Sequence, residues 1–92
     1  AKASPPATRA AAPARKLTYK DQRDLDRLPG EIDAIEADIA QAEEALADSA
    51  LYARDPRRFT ELTQLIEAKR AAKEAAELRW LEVAEMAEQL TA

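Results

Sequence analysis

The chain has 92 residues and a net charge of −4, with no cysteine and no histidine. Without thiols or imidazoles, disulfides, most zinc sites and most nucleophilic chemistry are excluded. A single glycine and an abundance of Ala, Glu, Leu, Lys and Arg favour long helices over sheets. Because the sequence shows neither an apolar run of about 18 residues nor the apolar stretch of a signal peptide, we expect a cytoplasmic protein that does not bind membranes.

The charge is distributed unevenly along the chain. Residues 1–20 contain five basic residues and no acidic residue, whereas residues 21–92 have a net charge of −9. An acidic surface repels phosphate groups, so any binding of nucleic acid must be local.

Residues 1–15 are rich in alanine, proline and basic residues and contain no large apolar side chain. Such a segment cannot bury enough surface to offset the entropy lost on ordering. The composition therefore predicts a disordered linker from an upstream domain, and residues 16–92 form the predicted folded domain.

Two later segments carry apolar residues at alternating spacings of three and four. The positions are Leu25, Leu28, Ile32, Ile35, Ile39, Ala42 and Leu46 in the first segment, and Phe59, Leu62, Ile66, Ala76, Trp80, Val83, Ala87 and Leu90 in the second. This spacing is that of a coiled-coil seam. A turn-like sequence at residues 48–56 separates the segments, which predicts an all-α fold, an antiparallel two-helix coiled-coil hairpin. In this register Ala42 faces Leu62.

Local signals set the predicted helix boundaries. Thr18 and Asp21 have the spacing of a capping box, and Asp55-Pro56 is a typical helix start. Pro29-Gly30 predicts a kink or short break in the first helical segment. The predicted helices span residues 19–28, 31–47 and 56–90. The first of these would be a short N-terminal helix that caps the open end of the hairpin and brings Leu25 close to Trp80.

Lys69 and Lys73 interrupt the apolar seam of the last helix. Their aliphatic stems could pack while the ammonium groups extend to solvent. Alternatively, they could fix the register of the two helices, as polar seam residues can.

A basic stripe is the first candidate for binding nucleic acid. Spacings of four, three and four place its members on one side of a helix: Lys16, Lys20, Arg23 and Arg27. Tyr19 beside them could stack on a base. The alternative is a solvated face with Tyr19 in the core, because acidic residues alternate with the basic ones.

A second basic cluster lies at the predicted hairpin tip. It consists of Arg54, Arg57 and Arg58. The tip of a long hairpin is well placed to touch RNA or DNA, but these residues could equally serve solubility, with Arg57 paired to Glu61. Arg70 and Arg79 are expected to pair with nearby carboxylates such as Glu74 or Glu82.

Several sequence elements resemble one family. Residues 16–25, KLTYKDQRDL, match a K-L-[ST]-Y-K-x-Q-R-[ED]-L pattern, and the Leu28-Pro29 break, residues 51–54 and the Leu78-Arg79-Trp80 element also match. In that last element the family's glutamate is displaced to Glu77. The chain therefore resembles the C-terminal coiled-coil domain of Uup-type ABC-F ATP-binding proteins over residues 16–90.

The resemblance implies a bacterial parent protein with two ATP-binding cassettes, which would use ATP and Mg²⁺, hydrolyse ATP and act on ribosomes in translation. It also implies that residues 1–15 link a cassette to this domain, and that the domain binds DNA or RNA. The single glycine cannot supply a phosphate-binding loop, so we expect no enzymatic activity and no cofactor in this domain. The alternative is a structural or regulatory arm that braces the ATPase domains or mediates self-association; otherwise we expect a monomer.

Overall fold

The computed structural model describes residues 16–91 and contains a helical hairpin. Helix α1 spans Tyr19–Leu46, helix α2 spans Leu51–Arg54 and helix α3 spans Pro56–Thr91. The long helices α1 and α3 pack against each other in a rod of 66 × 26 × 16 Å. The predicted all-α hairpin is confirmed. The predicted linker, residues 1–15, lies outside the described residues.

The apolar seam lies where the spacing predicts it. Every predicted seam residue of both helices is buried or half-buried. On α1 the deepest apolar positions are Leu28, Ile35 and Ala42, each seven residues from the next, and on α3 Val83 is completely buried. The other seam residues are half-buried, as expected when only two helices share a seam and each leaves one flank open to water.

The core is densest near the hairpin tip. A cluster of buried residues there brings together α1, α2 and α3: Ala42, Leu51, Leu62 and Ile66, with Ile39, Leu46 and Phe59 packed against it. The predicted proximity of Ala42 and Leu62 is confirmed. Within the tip, the sequence did not predict the four-residue helix α2, which places Leu51 over the ends of the long helices.

The predicted break at Pro29-Gly30 is wrong, because α1 continues through both residues as one helix. The separate helices 19–28 and 31–47 are therefore a single element, and its first turns take the place of the predicted capping helix. Pro29 and Gly30 face solvent, whereas Leu28 before them is buried and Ile32 after them is half-buried. Packing of the seam on both sides offsets the cost of an internal proline, about 3 kcal/mol.

The two helix starts that were predicted from capping signals, after Thr18 and after Asp55, are confirmed. The Thr18 hydroxyl accepts a hydrogen bond from the Asp21 amide at 3.0 Å, and the Asp21 carboxylate accepts one from the Thr18 amide at 3.3 Å. These reciprocal bonds satisfy amides that have no partner within the helix. At the start of α3, the Asp55 carboxylate accepts a hydrogen bond from the Arg58 amide at 3.1 Å.

Lys69 and Lys73 both bridge the two long helices. The Lys69 ammonium lies 3.0 Å from the Asp38 carboxylate, and the Lys73 ammonium lies 2.9 Å from the Glu36 carboxylate. The hydrogen bond and charge of Glu36 raise the pKa of Lys73. Both lysine side chains are about one-third exposed, so their stems pack in the seam while their charges favour one register of α3 against α1.

The continuity of α1 predicts that Gly30→Ala stabilises the fold. A Cβ added at Gly30 would meet nothing within 4 Å, and the residue has no positive φ. Alanine in a helix interior is favoured over glycine by about 1 kcal/mol, so the free energy of unfolding should rise by about that amount. Urea unfolding followed by circular dichroism measures it. A loss of stability would mean that the helix is broken at this position.

Candidate nucleic-acid interface

The first turns of α1 present an aromatic ring and a guanidinium group to solvent. Tyr19 is 82% exposed, so the alternative of a buried Tyr19 is wrong. Arg23 is also exposed and lies four residues further on, which places it on the same side of the helix as Tyr19. Within residues 16–91, neither Arg23 nor Lys16 forms an ion pair.

The other two members of the basic stripe converge on one carboxylate. The Lys20 ammonium lies 3.0 Å from Asp24, and an Arg27 guanidinium nitrogen lies 3.1 Å from the same carboxylate. Arg27 also pairs with Glu31. Lys16 and Arg23 therefore have no ion-pair partner in the described chain, whereas Lys20 and Arg27 are already paired. The Lys20 and Arg27 side chains are nevertheless exposed.

Asp24 is buried, with only 6% of its surface exposed, and it also contacts the opposite helix. The Arg79 guanidinium donates from Nε to Asp24 at 2.9 Å and from Nη2 to Asp21 at 2.8 Å. Its remaining terminal nitrogen donates to Glu82 on its own helix. Arg79 thus joins the start of α1 to the last third of α3, at the open end of the hairpin.

Sequence reasoning predicted that Arg79 pairs with Glu82 but did not predict its link to Asp24. The positions of Asp24 and Arg79 relative to the seam residues do contain a signal for that link. Asp24 lies four residues before the buried Leu28, and Arg79 lies between the buried Ala76 and Val83. Two opposite charges on the buried ridges of facing helices indicate a charged pair inside the seam.

These contacts shift the pKa values of both partners in the direction that keeps them charged. Hydrogen bonds from Lys20, Arg27 and Arg79 hold the pKa of Asp24 far below its usual range. Hydrogen bonds from Arg79 and Thr18 also lower the pKa of Asp21. The pKa of Arg79 is raised because its guanidinium group donates to three carboxylates. The network is therefore fully ionised at neutral pH.

The arginines at the hairpin tip are paired differently from the prediction. Arg58, and not Arg57, lies beside Glu61, with 3.5 Å between the guanidinium nitrogen and the carboxylate oxygen. The Arg54 guanidinium lies 3.1 Å from Asp48. The Ala50 amide, together with Arg54, lowers the pKa of Asp48. Arg57 is exposed and has no ion pair among the described residues, so the tip offers a single unpaired cation.

The tip also exposes an aromatic side chain. Tyr52 is 64% exposed, and its ring meets Phe59 edge to face, with the ring centroids 5.1 Å apart. That contact anchors one side of the Tyr52 ring against the core. Tyr52 is therefore less available for stacking on a base than Tyr19.

Within residues 16–91, no cluster of acidic side chains has an arrangement that could hold a metal ion. Neither long helix of this part of the chain carries an apolar stretch of the length that a bilayer crossing requires.

Comparisons with known proteins identify a family and a relative of this chain. Residues 16–85 match the ABC transporter C-terminal domain family. The chain is 44% identical over 89 residues to the ATP-binding protein Uup of Caulobacter vibrioides, an alignment that covers 97% of this chain and 15% of that relative. No solved structure matches.

The chain belongs to the ABC transporter C-terminal domain family. It spans about one-seventh of the length of the curated relative that it matches. The resemblance to Uup-type proteins that the sequence elements indicate is thereby confirmed.

Because Asp24 and Asp21 are held in their charged form by the fold, we expect the folded domain to become less stable in acid. Because the pKa values of Asp24 and Asp21 are lowered in the folded state, the unfolded chain binds more protons below about pH 4. Their stabilising contribution is complete above about pH 5, where both carboxylates are ionised in the folded and the unfolded chain, and is lost as the pH falls through the lowered folded-state pKa values. Thermal unfolding should show a melting temperature that decreases between about pH 5 and pH 2.

Asp24→Asn should lower the melting temperature at pH 7 and weaken this acid dependence. Asp33→Asn is the matched control, because Asp33 is exposed on the same helix and has no ion pair within the described chain. That variant should behave like the parent. An acid dependence of equal size in the parent and in Asp24→Asn would contradict the assignment.

Proposed function

We propose that this domain is a nucleic-acid-binding appendage of an ABC-family ATP-binding protein. DNA or RNA, including ribosomal RNA, is the proposed ligand. The observation that carries the proposal is the exposed pair of Tyr19 and Arg23 at the start of α1. Proteins bind single-stranded nucleic acid by stacking bases on exposed aromatic rings and by placing positive charges next to the phosphates. Tyr19 and Arg23 together offer both kinds of group.

The location of this pair supports the proposal. Tyr19 lies within the segment of residues 1–20, which carries five basic and no acidic residues, and Arg23 follows that segment by three residues. Lys20 and Arg27 extend the positive surface, since their side chains are 76% and 44% exposed even though they pair with Asp24. Contacts from these side chains to phosphate oxygens would position the ligand without reading its sequence.

The remainder of the parent protein is also part of the proposal. The relative is named an ATP-binding protein, and this chain covers only 15% of its length. We propose that the parent of this domain has ATP-binding cassettes that use ATP and Mg²⁺, and that the helical hairpin extends from them to reach DNA or the RNA of the ribosome. The domain itself contributes binding and no catalysis.

Removing the exposed pair should weaken binding to single-stranded DNA about tenfold or more, since stacking on one aromatic ring contributes about 1–3 kcal/mol. The variant is Tyr19→Ala with Arg23→Ala, measured by fluorescence anisotropy with a labelled oligonucleotide. Loss of one phosphate contact should also reduce the slope of log affinity against log salt by about 0.7. Duplex DNA and RNA of the same sequence are measured in parallel.

Arg57→Ala is the matched control, because Arg57 is also exposed and has no ion pair within residues 16–91. The affinity of the Arg57→Ala variant for the oligonucleotide should stay close to that of the parent chain. A larger loss from Arg57→Ala than from the double variant would move the interface to the hairpin tip. Unchanged affinity in both variants would reject a nucleic-acid role for these surfaces.

A further inference from the structure

The outward side of α3 carries an exposed apolar patch. Leu78 is 64% exposed and Leu81 is 52% exposed. The two leucines are three residues apart and therefore adjacent on the helix surface. Ala71 and Ala75, which are also exposed, lie within two turns before Leu78, and their small side chains extend the apolar surface. We call these four residues the outer patch.

The outer patch has an acidic border. Glu74, Glu77 and Glu85 lie three or four residues from Leu78 or Leu81, so they flank the leucines on the same side of α3. Neither Glu74 nor Glu85 forms an ion pair among the described residues. Across residues 74–88 the helix has five glutamates. Arg79, the one basic residue of this segment, pairs with Glu82, Asp21 and Asp24 and with no member of the acidic border.

The exposed leucines and the acidic border together indicate what kind of partner could bind the outer patch. Nucleic acid is repelled by the glutamates and gains nothing from the leucines. A second copy of the chain, packed symmetrically through the same patch, would bring two acidic borders together. A partner that offers apolar side chains between lysines or arginines would satisfy both the leucines and the glutamates.

We infer that the outer patch is a docking surface for a basic amphipathic helix of another protein segment. Leucine-sized side chains of that helix would pack on Leu78 and Leu81, and the small side chains of Ala71 and Ala75 would allow it to approach closely. Its lysines or arginines would pair with Glu74 and Glu85. This binding is independent of the nucleic-acid contacts proposed at Tyr19 and Arg23.

The test uses synthetic peptides as probes. The first peptide, of about four helical turns, contains leucine at helical spacing and lysine elsewhere. A second replaces every lysine by glutamate, and a third replaces every leucine by serine. Because Trp80 lies in the seam and not in the outer patch, each peptide carries a fluorescent label, and its fluorescence anisotropy measures binding. Only the leucine–lysine peptide should bind.

Leu78→Ser with Leu81→Ser should weaken that binding at least tenfold. Since both residues are exposed, circular dichroism should show an unchanged fold. The matched control is Leu65→Ser, because Leu65 is another exposed leucine of α3, placed more than three turns away. It should bind the peptide like the parent chain.

Three results would overturn the inference. One is equal binding of the lysine peptide that lacks leucine, which would indicate charge attraction alone. Another is equal loss in Leu65→Ser and in the double variant, which would indicate that the patch has no special role. The last is a concentration-dependent dimer in analytical ultracentrifugation that Leu78→Ser with Leu81→Ser abolishes, because the occupant would then be a second copy.

Discussion

The ion pair between Asp24 and Arg79 joins the two long helices at the end of the hairpin opposite the tip. The apolar seam brings α1 and α3 together, but apolar contacts have no direction, and a repeated pattern of such residues permits more than one register. Asp24 is buried and accepts hydrogen bonds from Lys20, Arg27 and Arg79. A buried carboxylate without these partners would be strongly unfavourable, so the contact disfavours any register that separates Asp24 from Arg79. Further along the rod, Lys73 with Glu36 and Lys69 with Asp38 favour the same alignment.

The same contact determines which basic side chains are available for ligands. Asp24 engages Lys20 and Arg27, whereas Tyr19 and Arg23 are left open to solvent at the start of α1. The proposed nucleic-acid surface is therefore organised around a network whose primary role is structural. The acidic outer side of α3, with Leu78 and Leu81, has the opposite chemistry. The two surfaces therefore differ in charge and polarity, and we propose a different ligand for each.

The hairpin could be predicted from the sequence because its signal is repeated. Every residue that the three-four spacing assigns to the seam is buried or half-buried, and the two capping signals fix the starts of α1 and α3. The interruption at Pro29 was predicted incorrectly because a local backbone preference was weighed without the tertiary packing of Leu28 and Ile32. The burial of Asp24 was not predicted, because an aspartate four residues before a seam leucine indicates a charged pair only once Arg79 is placed opposite it. The exposure of Tyr19 is likewise a property of the packed pair of helices.

A double-mutant cycle on Asp24 and Arg79 tests the closure of the hairpin most directly. The melting temperatures of Asp24→Asn, Arg79→Gln and the double variant are compared with that of the parent chain at neutral pH. If the two side chains stabilise the fold through one contact, the double variant should lose markedly less than the two single losses added together. Fully additive losses would show that Asp24 and Arg79 act independently, and the open end of the hairpin would then not be held by this pair.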